Sequence, residues 1–133
     1  MTDNRACVIV APGAGAALEL GLGRPTIKIG PPLSTQIGLL ESELPPGGGF
    51  RVPHWHEDLD EGFYVLDGEI DYLLETQWRR APAGELAGHP RGQWEQVHAR
   101  RRSHYAHSRP GGPRAEHAAA GGPATAPGRA GAT

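Results

Sequence analysis

Phe63-Tyr64-Val65-Leu66-Asp67-Gly68-Glu69-Ile70-Asp71-Tyr72-Leu73-Leu74 holds two β-prone runs around Asp67-Gly68, a pair that supplies the positive-φ residues of a two-residue turn. The reading is a hairpin in which Leu66 opposes Glu69, Val65 opposes Ile70, Phe63 opposes Tyr72 and Glu61 opposes Leu74. One face then carries Glu61, Phe63, Val65, Ile70, Tyr72 and Leu74. The other carries Tyr64, Leu66, Glu69, Asp71 and Leu73. A carboxylate in an apolar row needs a partner, which marks Glu61 as a candidate functional residue.

Upstream, alternation puts Phe50, Val52, His54 and His56 on one side of a strand and Arg51, Pro53 and Trp55 on the other. The acidic stretch Glu57-Asp58-Leu59-Asp60 can return the chain antiparallel. Two imidazoles on one strand and the Glu61 carboxylate on its neighbour then converge. Two neutral imidazoles and one anion suit a divalent first-row metal and leave coordination positions open for a substrate, water or dioxygen.

Outward from this stretch, residues 7–10, 26–29 and 35–44 are further short apolar or alternating runs. Gly and Pro clusters separate them, and nothing before residue 79 sustains a helical period. The fold class is all-β. A chain of 133 residues allows one core. With 20 Gly and 13 Pro, turns and irregular segments are abundant.

The charge is split: residues 1–78 carry 4 basic against 12 acidic residues, whereas residues 79–133 carry 9 against 3. In that second stretch the only Leu, Ile, Val or Phe residues are Leu86 and Val97, too few for a core of its own. No strand in 79–109 is convincing, and 110–133 reads as a low-complexity disordered tail. The domain is therefore expected over residues 1–109. The same composition is what out-of-frame reading of a GC-rich coding region would produce.

A net charge of -2 gives no global attraction to nucleic acid or to an anionic membrane, so neither partner is expected. No apolar run approaches the roughly 20 residues that span a bilayer. The single cysteine, Cys7, fits a reducing compartment, and a cytoplasmic location is expected. Val8–Leu18 echoes a dinucleotide-binding turn, but Leu18 stands at the last glycine position and no βαβ pattern follows. Arg100-Arg101-Arg102 reads as a solvated charge run.

The spacing Gly48, five residues, His54, one residue, His56, four residues, Glu61, six residues, Gly68 resembles the first motif of the cupin superfamily. The Pro45-Pro46-Gly47-Gly48 stretch before it and the strand-turn-strand after it belong to the likeness, which covers roughly residues 34–75. The resemblance implies a small jelly-roll β-barrel with a metal at its mouth, held by His54, His56 and Glu61; iron, manganese, nickel or zinc would serve.

The second motif is damaged. Gly84, five residues, Pro90-Arg91-Gly92 has the right spacing, yet Glu95 stands where the family has its fourth histidine, and Ala99 where an asparagine is usual. A three-ligand site ranks first; Glu95 as a substitute carboxylate, or His89 or His98 from a shifted register, are the alternatives. His89, His98, His104, His107 and His117 otherwise read as exposed histidines of a basic segment. The barrel is expected to be incomplete at its C-terminal end.

The resemblance implies a metal-dependent enzyme acting on a small organic molecule, with oxidation by dioxygen as the leading reaction class. A non-catalytic metabolite-binding or sensor module, or a truncated nonfunctional product, are the alternatives. Phe50, Val52, Phe63, Val65 and Tyr72 are expected to line a pocket or fill the core. The apolar side chains of Tyr64, Leu66 and Leu73 call for a homodimer that covers them.

Overall fold

The computed structural model describes residues 7–18, 23–30, 36–50 and 53–110, together with the backbone of 116–118. The strands in chain order are β1 (Ala16–Ala17), β2 (Arg24–Ile29), β3 (Gly38–Leu44), β4 (His54–His56), β5 (Glu61–Asp67), β6 (Glu69–Leu74), β7 (Gln77–Pro82), β8 (Leu86–His89), β9 (Glu95–His98), β10 (Ser103–Arg109) and β11 (Glu116–Ala118). They form two antiparallel sheets, ordered β1-β2-β3-β10-β5-β8 and β11-β4-β9-β6-β7. No helix occurs among the described residues, and none is long and apolar enough to cross a membrane. This is the all-β, two-sheet architecture expected of a jelly roll.

The core lies between the sheets. Leu44, Phe63, Val65, Ala87 and Tyr105 come from one, Ile70, Tyr72, Ala81 and Val97 from the other, and Phe50 packs against them. Burying each of the larger side chains contributes about 1.5–3 kcal/mol. Phe63, Val65 and Tyr72 are thus core residues, while Val52 falls outside the described residues.

One expectation is corrected. β5 and β6 do not pair with each other: β5 lies between β10 and β8, and β6 lies between β7 and β9. Asp67-Gly68 is a corner that carries the chain from one sheet to the other. Gly68 has φ 77° and sits 2.8 Å from the Arg102 carbonyl oxygen, measured from where a Cβ would stand, so a side chain there would strike backbone. Alternation survives the corner, and Glu61, Phe63, Val65, Ile70 and Tyr72 all point inward and are buried. Leu73, assigned to an exposed hairpin face, is 0% exposed.

A second correction concerns residues 79–109, where no strand was convincing and the barrel was expected to run out. That stretch supplies most of β7 and all of β8, β9 and β10. Their inward positions alternate regularly, but the residues are Ala87 and His89 on β8, Glu95 and Val97 on β9, and Ser103, Tyr105 and His107 on β10. The disordered-tail expectation for 110–133 lies mostly outside the described residues. Within it, β11 pairs with β4.

Candidate metal centre

Five ionisable side chains are buried at one end of the space between the sheets: His56, Glu61, His89, Glu95 and His107. Strand pairing explains the gathering. His54 on β4 is paired with Glu95 on β9, and Leu74 on β6 with the same Glu95. Across the core, Glu61 on β5 is paired with His89 on β8, and Phe63 with His107 on β10. Paired residues share a face, so each sheet delivers its polar set to the same interior end.

The distances are short. His54 Nε2 lies 2.9 Å from Glu95 Oε1, and His56 Nε2 lies 3.2 Å from that oxygen and 2.9 Å from Glu61 Oε1. His54, His56 and Glu95 each offer a donor atom within 4.8 Å of the other two. Yet His56 Nε2, Glu61 Oε1 and Glu95 Oε1 are buried without a hydrogen bond of acceptable geometry. Side chains this close and this buried need either a shared proton or a cation between them to offset their charge. Two imidazoles and one carboxylate so arranged fit a divalent first-row ion, while Glu61, the carboxylate expected from sequence, stands beside His56 but outside that three-residue group.

The geometry revises how the acid reaches the histidines. Glu61 was expected from the strand neighbouring β4, but β5 belongs to the opposite sheet. The short loop 57–60 crosses between sheets. The carboxylate on the paired neighbour is Glu95, named from sequence only as a substitute ligand at the histidine position of the second motif. The loop is pinned where Asp60 Oδ1 accepts from the Arg91 backbone N–H at 2.9 Å and His56 O accepts from the Gly92 N–H at 2.7 Å. The Pro90-Arg91-Gly92 turn thus fixes the chain beside His56.

Further polar groups surround the cluster. His107 Nε2 is 3.0 Å from Glu61 Oε2, and its ring stacks on Phe63 with centroids 4.3 Å apart and planes 8° from parallel. Arg109 lies 3.6 Å from Glu61 Oε1. His89 Nδ1 is 3.4 Å from Glu95 Oε2. His89 and His107, read from sequence as exposed, are both buried. Aliphatic periodicity could not find them, because the inward positions of β8 and β10 hold Ala, Ser, Tyr and His in place of Leu, Ile or Val. Half-buried His98 is paired with Asp71 and is not in the cluster. His104 stands 3.7 Å from Glu41, and His117 lies in β11.

Electrostatics follow from burial. Desolvation pulls the His56 imidazole down, but Glu61 and Glu95 outweigh it and raise its pKa to about 10. His54 is likewise raised, burial opposing it and Glu95 prevailing. For Glu61, burial pushes up while His107 and His56 push down, and the net is a carboxyl held well below its usual range. His89 is lowered, chiefly by burial. Buried charges of this kind need compensation, from protons on the imidazoles or from a cation in their place.

A two-sheet β protein with histidines and carboxylates gathered between its sheets defines a class of β-fold with a candidate metal site. The family model described as a cupin domain matches residues 40–105, and the chain belongs to the cupin superfamily. No curated protein sequence matches it. Solved structures show the same fold. KdgF from Halomonas sp. is 18% identical, with a TM-score of 0.66 over 73% of this chain and 86% of that one. The polyketide cyclase RemF from Streptomyces resistomycificus is 21% identical, with a TM-score of 0.66 over 78% and 73%. A sugar phosphate isomerase from Silicibacter pomeroyi is 21% identical, with a TM-score of 0.61 over 69% and 61%. At these identities the likeness concerns the fold.

Proposed function

We propose that this cupin is a metal-dependent enzyme acting on a small organic molecule, with a divalent transition-metal ion held by His54, His56, Glu95 and, as the fourth ligand, Glu61. One observation carries the reading: His56 Nε2, Glu61 Oε1 and Glu95 Oε1 are buried and close, yet none is satisfied by another. Such groups are costly to bury unless something between them completes their coordination.

An ion on this donor set supplies Lewis acidity and, for iron or manganese, one-electron chemistry toward dioxygen. The protein's own residues do the rest. Glu61 is held from two sides by His107 and Arg109, which fixes the oxygens it presents. Phe63 stacks on His107 and meets His89 edge-on, and Tyr72 lies against His89, so the core packs directly against the cluster. The two-histidine, one-carboxylate set of His54, His56 and Glu95 favours oxidation as the reaction class.

The Glu61–His107 contact favours a second reading, metal-assisted proton transfer without net oxidation, because a carboxylate and an imidazole 3.0 Å apart can pass a proton between them. The similar structures named as a cyclase and an isomerase agree with it. Metal analysis of the purified protein, combined with oxygen uptake during turnover, decides between them. Stoichiometric iron or manganese with metal-dependent oxygen consumption is the expected result. Metal-dependent turnover without oxygen uptake supports the second reading. Ligand binding indifferent to a chelator, in a protein that retains no metal, overturns both and leaves a binding module.

A further inference from the structure

β7 ends one sheet and β8 ends the other, and no strand pairing joins them among the described residues. They are tied together only where the chain turns from one into the other. There Gly84 N–H donates to Val65 O at 2.9 Å, Ala83 N–H to Gly68 O at 3.1 Å and Val65 N–H to Glu85 O at 3.0 Å. At the far ends, around Gln77 and His89, the two edges part. A cavity of about 330 Å³ opens there, with Leu74, Glu75, Gln77, Arg79, His89 and Gln93 among its lining residues. That is large enough for a small metabolite.

The cavity adjoins the cluster at His89, whose Nδ1 is 3.4 Å from Glu95 Oε2. Leu74 is the pairing partner of Glu95, and His89 is the pairing partner of Glu61, so two lining residues adjoin both buried carboxylates. His89 Nε2 is buried with no hydrogen-bonding partner. Arg79 pairs with the buried Tyr72 and Gln77 with Leu74, which places both on the inward side of an edge strand.

Charge selects the ligand. Arg80 and Arg100 bind Asp71, Arg91 binds Asp60, Arg101 binds Glu69, Arg102 binds Glu43 and Arg109 binds Glu61. Among the described residues Arg79 has no carboxylate within ion-pair distance. It is a guanidinium in a cavity wall, with amides at Gln77 and Gln93 to hydrogen-bond a neutral group. Glu75, also in the wall, opposes a second negative charge.

We propose that the cleft between β7 and β8 is the binding site for a small monocarboxylate, its anionic group held on Arg79 and its other end directed past His89 toward the buried cluster. This deepens the enzyme reading above and rests on it for the fate of the molecule, while the binding itself needs no metal. A bidentate guanidinium–carboxylate pair is the strongest contact available to such a ligand.

The test is titration of the isotopically labelled full chain with lactate and with neutral lactamide, followed by NMR, on chelator-treated and on zinc-loaded protein. Saturable lactate binding is expected in both samples, with shifts at Gln77, Arg79 and His89, and lactamide should bind at least about tenfold more weakly. Arg79→Gln should weaken lactate by about tenfold, and Arg79→Lys by less. Arg79 is exposed, so an unchanged spectrum elsewhere will show that the variants are folded. Lactate binding equal in Arg79→Gln and wild type, or none at millimolar concentrations, overturns the proposal. If the protein takes up no zinc yet binds lactate through Arg79, the metal-enzyme reading falls and this site stands.

Discussion

His54 and Glu95 face each other across the β4–β9 pair, with Nε2 and Oε1 2.9 Å apart. A pairing fixed by backbone registry holds its side chains in place more firmly than a loop would. Glu95→Ala is therefore expected to cost more in metal affinity than the roughly 10–100-fold typical of an outer-shell partner. Glu95→His, which restores a neutral donor at the same position, should recover much of that loss. Competition against a chromophoric chelator measures both. A Glu95→Ala protein that binds like wild type would remove Glu95 from the ligand set. Glu61→Gln, tested alongside, reports whether the second carboxylate belongs to it.

The metal uptake proposed for the same cluster should release protons. Without metal, His56 stays protonated well above its usual pKa of 6.5, up to about 10, because its two carboxylates prevail over burial. Between these two values an incoming cation must displace that proton. Affinity should rise with pH across this window, by about tenfold per unit for each proton displaced. Calorimetry in buffers of differing ionisation enthalpy counts the protons, and zero released at pH 8 would contradict the assignment.

Stability of the chelated protein has the opposite slope. A raised folded-state pKa stabilises fully below the unfolded value of 6.5 and is lost as pH climbs through about 10. Glu61 is depressed from its ordinary 4.5, so its contribution is present above that value and lost as pH falls below it. These describe one ion pair seen from its two ends and are not additive. Thermal unfolding in excess chelator should therefore show its highest Tm between about pH 4.5 and 6.5. A Tm still rising from pH 7 to 9 would show that His56 is not held protonated.

The inward set of residues 61–74 was legible because alternation reports which face a side chain takes. It does not report which strand lies alongside. A hairpin turn and a sheet-to-sheet corner both use Asp67-Gly68, so the β5–β6 pairing could not be separated from the true partners, β10 and β8 for β5 and β9 and β7 for β6. His54, His56 and Glu61 stood out by spacing, and Glu95 by its place in a damaged motif. His89 and His107 did not, because Ala87, Ser103 and Tyr105 beside them fill inward positions that a search for Leu, Ile and Val passes over. Leu73 misled for a related reason: it occupies the outward parity of β6, yet that face is covered.

The corner itself is testable. Gly68 and Gly47 both have positive φ, 77° and 81°, but a Cβ at Gly47 meets nothing within 4 Å, whereas at Gly68 it meets Ser103 Oγ at 2.5 Å and the Arg102 carbonyl oxygen at 2.8 Å. Gly47→Ala should cost about 1–3 kcal/mol from backbone strain. Gly68→Ala should cost measurably more, since Ser103 also hydrogen-bonds Glu69 and cannot move freely. Urea unfolding of the two variants compares them, and equal losses would mean that the corner relaxes.

Apolar side chains remain on the outside of the six-stranded sheet. Tyr64 is 44% exposed, Leu66 40% and Leu86 68%, and Tyr64 and Leu86 are direct cross-strand partners. Leu86 lies on β8, whose far edge ends the sheet, so a contiguous apolar row meets a strand with unpaired backbone groups. Such an edge invites pairing with another chain unless something blunts it. A second copy of this chain, related by two-fold symmetry, would cover the outer row of Tyr64, Leu66 and Leu86 while leaving the β8 edge that borders the β7–β8 cleft open. Light scattering after size-exclusion chromatography is expected to give a dimer at micromolar concentration, and Leu86→Ser combined with Tyr64→Ser should shift it toward monomer without loss of metal. A wild-type protein that is monomeric throughout that range would mean that this row stays in water.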